Sequence, residues 1–498
     1  MFGETVFVLS LVLVLPLIIM GIYSPSLLDE LSSAVYATII SHFGWLYLLA
    51  VFSFLLFCIA LAFSRFGNIK LGRDDEKPDY NYFSWFSMLF AAGLAIGLVF
   101  FGVGEPLSHY SNPPGQIAAY TGEAAVYAMR YSFFHWGLNG WAVYAIMSLS
   151  IAYFTFRRGM KPLISSCFYP LMGDRIYGLP GKIIDVLAVV ATLFGVVTSL
   201  GLGAIQINSG LVHILGWPDD TLSSLVIIAI VTALFLISSS LGLDSGIQVL
   251  SKLNVLIAML LLALVFILGP ASYILNVFTS TLGGYLHGLL AMSLDVNPFT
   301  GYEWTRDWTL FYWAWWISWA PFVGIFVARI SRGRTIKEFI LGILLVPTLI
   351  TFIWFSVFGG AALHLQQIGG VDVAQVAVND ISRCLFIVFE YYPLGGFLSA
   401  LTIILLIVFF TTSADSATFV LGMLTSDGHL SPPLSKKITW GLMEGGFAVV
   451  LLLSGGLDAL RRMTVNVALP FTIVMILMCW NLYKALREEG KDFSLPPH

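Results

Sequence analysis

Charge is what this chain has least of. Lys, Arg, Asp and Glu make up 10% of its 498 residues, against about 25% in an average soluble domain. With 58% of residues hydrophobic, that scarcity excludes a water-soluble globular protein, and equally a disordered chain, which stays unfolded by being polar. Neither sign dominates, since 24 basic residues face 28 acidic ones, so nothing points to nucleic acid. Cysteine is also sparse. Cys58, Cys167, Cys384 and Cys479 lie far apart with no Cys-x-x-Cys pair, which argues against a metal knuckle or a disulfide framework. The apolar stretches are continuous rather than alternating, which argues against an outer-membrane barrel. No nucleophile–base pair or metal-ligand cluster stands out, which argues against a membrane enzyme.

What is present is a series of apolar runs near 20 residues, each long enough to cross a ~30 Å hydrocarbon core. They predict an all-α integral membrane protein of about twelve transmembrane helices: 6–22, 44–63, 82–101, 125–153, 183–211, 222–240, 250–278, 309–330, 336–363, 395–424, 438–453 and 465–483. The first run has no basic leader and is expected to be a span rather than a cleaved signal. Alternating the spans places 19 of the 24 basic residues on one side and only Arg130, Arg306, Arg383, Arg461 and Arg462 on the other. By the positive-inside rule both termini are then expected in the cytoplasm. Two outer connections are long. Residues 280–308 are expected to lie partly along the membrane interface, and 364–393 to hold short helices over the outer mouth.

Unusual chemistry gathers on four spans. The third contains Ala91-Ala92-Gly93-Leu94-Ala95-Ile96-Gly97 and then Gly102-Val103-Gly104-Glu105-Pro106. Small residues suit close helix packing. Local unwinding, which frees amides and carbonyls for an anion and a cation, is the alternative. Glu105, beside its proline near the outer surface, reads as structural. The eighth span places Trp313, Trp315, Trp316 and Trp319 within seven positions, running inward to Pro321. An interfacial belt accounts for one or two tryptophans, such as Trp308 and Trp313, but not for the whole run. The fourth span adds Trp136, Trp141 and Tyr144, which share an arc of roughly 140° on one helix. Two aromatic faces on separate helices suit a quaternary ammonium, which cannot donate an ordinary hydrogen bond and is held by ring quadrupoles. The tenth span carries Thr411-Thr412-Ser413-Ala414-Asp415-Ser416. Its hydroxyls either bond back to their own helix or form an oxygen site for a small hard cation. Asp415, and Glu444 in the eleventh span, are costly at membrane depth and mark functional or networked positions.

These motifs resemble the betaine/choline/carnitine transporter family over about residues 82–457. The run from Trp308 to Trp319, continuing into Ala328-Arg329-Ile330-Ser331-Arg332-Gly333-Arg334-Thr335, is similar to the family signature. Thr412-Ser413-Ala414-Asp415-Ser416 and Gly102-Val103-Gly104-Glu105-Pro106 agree with it independently. The resemblance implies a LeuT-like fold: two peripheral N-terminal helices and a cytoplasmic loop (1–81), a five-helix repeat (82–279), an outer connection (280–308), a second, inverted five-helix repeat (309–486) and a short cytoplasmic tail (487–498). It implies a homotrimer in the cell membrane. It places an aromatic box on Trp136, Trp141, Tyr144 and Trp316, with Trp315 and Trp319 lining an adjacent pathway or second aromatic site. Backbone amides over Gly93, Ala95 and Gly97 would face the substrate carboxylate. A sodium site would use carbonyls of Ala91, Leu94 and Phe409 with the hydroxyls of Thr412 and Ser413; such hard oxygens suit an alkali ion. No other cofactor is implied.

The departures from the family pattern are informative. Betaine-type members commonly carry Gly-Met-Gly-Ile-Gly where this chain has Leu94 and Ala95. Proton-coupled choline members place Asp at the position of Gly97. Sodium-independent carnitine exchangers carry an arginine in the fifth helix, where this chain has no Lys or Arg between Lys182 and Lys252, and a methionine where it has Val323. These contrasts favour sodium-coupled import of a betaine-like zwitterion, with proton-coupled choline uptake and precursor–product exchange as the alternatives. A second family ion site falls on Val196 and Glu444, leaving Glu444 as a proton site, a cation site or a buried structural acid. The short tail lacks a basic block, so little activation by hyperosmotic stress is expected.

Overall fold

The computed structural model describes residues 2–93, 96–241, 244–299 and 302–489, and their side chains except at 90–93, 240, 241 and 244–248. The described residues are helical apart from connections and one antiparallel bridge between Lys70 and Thr335. In chain order the helices are α1 (Phe2–Tyr23), α2 (Pro25–Phe63), α3 (Tyr82–Gly93), α4 (Ile96–Ser111), α5 (Gly122–His135), α6 (Leu138–Ala152), α7 (Tyr169–Met172), α8 (Leu179–Leu215), α9 (Thr221–Leu241), α10 (Asp244–Leu268), α11 (Ala271–Leu294), α12 (Tyr302–Thr305), α13 (Phe311–Ile330), α14 (Ile336–Gln367), α15 (Ala374–Asn379), α16 (Cys384–Glu390), α17 (Gly395–Leu424) and α18 (Leu434–Arg487). Long apolar helices are the expected solution in lipid, because each satisfies its own backbone hydrogen bonds.

Some helices run on past the apolar stretches, as α2 does by starting at Pro25 rather than 44 and α4 by ending at Ser111 rather than 101, and three breaks or joins also depart from the run lengths. The expected span 250–278 ends at Leu268, and a new helix starts at Ala271. Pro270 has no N–H to continue the ladder. As a result α11 extends to Leu294, into the stretch expected to be an outer connection. The expected loop between the last two spans is also largely helical. Helix α18 runs through it and departs from helical geometry only at Gly455 and Gly456, the latter at a φ of 60°. The third departure is the break between α5 and α6, which lies at the site described below.

Helix α13 is the central element. It packs against α6, α8 and α18, and its membrane-length window is 89% buried against 22% for α1. An apolar helix buried on all sides is a core helix, whereas α1 presents most of its surface to lipid. At the end where the chain leaves α13, a polar clasp closes the bundle. Glu76 pairs with Arg332 at 2.6 Å. The Leu71 N–H donates to the Arg334 carbonyl at 2.8 Å and the Gly333 N–H to the Leu71 carbonyl at 2.8 Å, and the buried Arg334 guanidinium lies 4.0 Å from the Trp85 ring centroid. Thr335 and Glu338 then cap α14 reciprocally. The Arg332 guanidinium, hydrogen-bonded to Glu76, holds that carboxyl below the ordinary carboxylate range.

Candidate substrate site

The break between α5 and α6 builds the site. Trp136 closes α5 and Gly137 opens α6, so Trp136 and Trp141 are not on one continuous helix. A Cβ on Gly137 would stand 2.5 Å from the Phe133 carbonyl oxygen. A broken helix at membrane depth must have its loose backbone groups satisfied by protein. Here the Trp316 indole donates to the His135 carbonyl at 3.0 Å, Thr351 Oγ1 donates to the Trp136 carbonyl at 2.8 Å, and the Leu138 N–H donates to the Tyr285 hydroxyl at 3.1 Å.

Four of the expected site rings converge at this break. Trp316 on α13 lies 5.3 Å from Trp141, 4.7 Å from Tyr144 and 6.0 Å from Trp136, centroid to centroid. All four side chains are at least nine-tenths buried. Two glycines permit the approach. A Cβ on Gly140 would meet the Trp316 indole at 2.5 Å, and one on Gly97 would meet Trp315 at 2.4 Å and Trp136 at 2.8 Å.

Trp315 and Trp319 separate although they are i, i+4 on α13. Trp315 stacks on Phe311 at 5.7 Å and meets Trp136 edge-on at 6.0 Å. Trp319 turns to α8, donating to the Gly195 carbonyl at 2.6 Å. Trp308 and Trp313, candidates for an interfacial belt, are both buried instead. Trp313 packs against Phe134 at 5.2 Å. The indole N–H groups of Trp141 and Trp315 are buried without a hydrogen-bond partner among the described residues. A lone buried donor of this kind costs about 1–3 kcal/mol unless an acceptor meets it.

Behind the rings stands a group whose setting the sequence did not disclose. Glu105 is completely buried rather than near a surface. One carboxylate oxygen accepts from the Trp136 indole at 2.9 Å and the Tyr312 hydroxyl at 2.5 Å. The other lies 2.6 Å from His135 Nδ1 and 3.2 Å from His109 Nε2. Donors of these types also bind metals, but ligands held about 2.0–2.2 Å from a tetrahedral zinc stand more than about 3 Å apart. The 2.6 Å separation is that of a hydrogen bond, so the cluster is a bonded network tying α4, α5 and α13 together. The adjacency of His135 to Trp136 was the only hint in the sequence.

The candidate ion ligands are only partly described. Leu94 and Ala95 lie outside the described residues. Ala91 and Gly93 lie in α3, with their side-chain surroundings outside the description. On α17, Thr412 Oγ1 donates to the Val408 carbonyl at 2.9 Å and receives the Asn254 amide at 2.9 Å. Asn254, on α10, is an addition from the fold; its other amide atom, Oδ1, is buried without a partner among the described residues. Phe409 and Ser413 sit beside Thr412, buried and half-buried. Asp415 accepts from Ser238 at 3.3 Å. Glu444 is fully buried, and Thr418 donates to its carboxylate at 3.3 Å.

The chain matches the profile described as BCCT, betaine/carnitine/choline family transporter, over residues 5–491. The chain belongs to this family. It is 49% identical over 495 residues to the glycine betaine transporter OpuD of Bacillus subtilis, covering 99% of this chain and 96% of that protein. It is 44% identical to the ectoine/hydroxyectoine transporter of Virgibacillus pantothenticus, covering 98% and 97%. It is 43% identical to a probable glycine betaine transporter of Desulfitobacterium hafniense, covering 98% of each. The protein is therefore a multi-pass membrane transporter and not an enzyme.

Proposed function

We propose that this transporter imports a betaine-like zwitterion by secondary active transport coupled to sodium. The observation that carries the reading is the convergence of Trp136, Trp141 and Tyr144 on Trp316. A trimethylammonium has no N–H to donate, and ring faces hold it at ~2 kcal/mol or more per desolvated contact. The two unpartnered indole donors, Trp141 and Trp315, suit the carboxylate of such a substrate, together with backbone amides over residues 93–97. Relatives named for glycine betaine support the same class.

Sodium would bind oxygens of Ala91, Leu94 and Phe409 with Thr412 and Ser413, joining the third span to α17. The Asn254 amide, turned over, adds another hard oxygen beside Thr412. Alternating access would follow from one inverted repeat rocking against the other about the fixed site. In this reading both termini are cytoplasmic and the protein is a homotrimer of the cell membrane. A second reading, proton-coupled choline uptake, draws on Glu444, which is fully buried and has no basic partner among the described residues. Uptake of a labelled panel of glycine betaine, choline, carnitine and ectoine into vesicles separates the two, with sodium and proton gradients imposed in turn. Sodium-driven betaine accumulation supports the first reading. A flat response to sodium with a steep response to pH replaces it by the second.

A further inference from the structure

The rings of the site do not end at the cage. Trp316 leads to Trp136, Trp136 to Trp315, and Trp315 to Phe311. The row ends on a cation. The Arg461 guanidinium carbon lies 5.1 Å from the Phe311 ring centroid and 5.3 Å from that of Trp308. Arg461 stands on α18 just past its break at Gly455 and Gly456. This is the end of the bundle where the chain enters α13. The residue is half-buried, and its Nε has no hydrogen-bond partner among the described residues.

The two neighbouring arginines are paired, and Arg461 is not among the described ion pairs. Arg462 pairs with Asp29, and Arg306 pairs with Asp307 at 2.7 Å. Asp458, one turn earlier on α18, is exposed. Among the described residues Arg461 forms no ion pair. A fixed positive charge thus sits over Phe311 and Trp308, at the end of the ring row away from Trp316, where a ligand entering from this end of the bundle would approach. An incoming species with net positive charge is repelled there. A zwitterion can offer its carboxylate to the guanidinium, a geometry that arginine accepts in a two-pronged fashion, and then pass its methylated end to the rings.

We propose that Arg461 selects substrates by net charge at this mouth, admitting methylated amines that carry a carboxylate and disfavouring those that lack one. This rests on the zwitterion reading above and extends it to a specificity residue. Coulomb energies at such distances span roughly threefold effects in water to hundredfold effects in a partly dry mouth, so about tenfold is expected.

The test is uptake of labelled glycine betaine into vesicles by the intact protein, with unlabelled choline as competitor. In Arg461→Gln the half-saturating betaine concentration rises about tenfold with little change in maximal rate, and choline competes at lower concentration. Arg461→Lys keeps most of the discrimination. In the unaltered protein, added potassium salt at fixed sodium narrows the preference for betaine, because screening weakens a partly exposed charge; this arm needs no variant to fold. Unchanged betaine-to-choline ratios in Arg461→Gln overturn the proposal, as does a preference that ignores added salt. An unaltered protein that transports no methylated amine defeats the transport reading itself, which is a different result.

Discussion

Glu105 accepts the indole N–H of Trp136 at 2.9 Å, so a buried carboxylate on α4 fixes the orientation of a ring in the cluster formed with α6 and α13. The same oxygen holds the Tyr312 hydroxyl, one turn before Trp316 on α13. A single acid therefore ties together the two helices that carry Trp136 and Tyr312.

Replacing this acid separates support from contact. Glu105→Ala leaves the Trp136, Tyr312 and His135 donors without their acceptor, and each unsatisfied buried group costs about 1–3 kcal/mol. The purified variant is expected to unfold at a distinctly lower temperature and to bind substrate more weakly. Glu105→Gln keeps an acceptor and is expected to recover part of both. Thermal unfolding alongside tryptophan-fluorescence titration reads the two effects. A melting temperature unchanged in Glu105→Ala contradicts the network.

Trp316 meets Trp136, Trp141 and Tyr144, so its loss tests the proposed cage. Trp316→Leu is expected to raise the half-saturating betaine concentration about thirtyfold, corresponding to one lost cation–ring contact of ~2 kcal/mol. Trp316→Phe keeps a smaller ring and is expected to fall in between. Uptake kinetics at matched membrane expression decide the matter; equal kinetics in Trp316→Leu rule out the cage.

The proposed ion site is tested by its hydroxyls. Thr412→Ala combined with Ser413→Ala removes two candidate oxygen ligands and is expected to shift the sodium concentration for half-maximal uptake upward by tenfold or more. Asn254→Ala is expected to produce a smaller shift in the same direction, because its amide meets Thr412 at 2.9 Å. An unaltered sodium response in the double variant rejects this site.

The clasp below α13 carries a pH signature. Hydrogen bonding to Arg332 holds the Glu76 carboxyl below its ordinary range. A lowered folded-state value means the stabilisation is complete above the ordinary carboxylate range and is lost as pH falls through the lowered value. The pair is solvent-accessible, so its contribution is about 0.5–1 kcal/mol. Melting temperatures from pH 7 down to pH 3 should decline less in Arg332→Ala than in the unaltered protein. Identical slopes contradict the assignment.

Much of the fold was legible in the chain because lipid demands long apolar helices, and α14 and α17 fall close to where run length put them. The breaks were less legible. Hydropathy is blind to backbone geometry, so it merged α5 with α6 and α10 with α11, although Gly137 and Pro270 marked both places. The four rings were singled out by residue type and by the family resemblance, and they do converge on Trp316, although Trp136 and Trp141 do not share one helix. Trp315 and Trp319 show the limit of helical spacing: neighbours on one face, they meet different partners on α5 and α8. Glu105 and Asn254 were out of reach as partners of the site, because what each touches is set by tertiary packing between distant segments.

The most direct measurement compares binding of glycine betaine with that of 3,3-dimethylbutanoate by calorimetry on the purified protein in sodium. The two share a shape and a carboxylate, but the second has a neutral carbon where the first has its ammonium nitrogen. Ring quadrupoles distinguish them, whereas a merely greasy pocket does not. At ~2 kcal/mol or more for a desolvated cation–ring contact, betaine is expected to bind at least thirtyfold more tightly. Equal affinity for the two, or no affinity for betaine, contradicts the account.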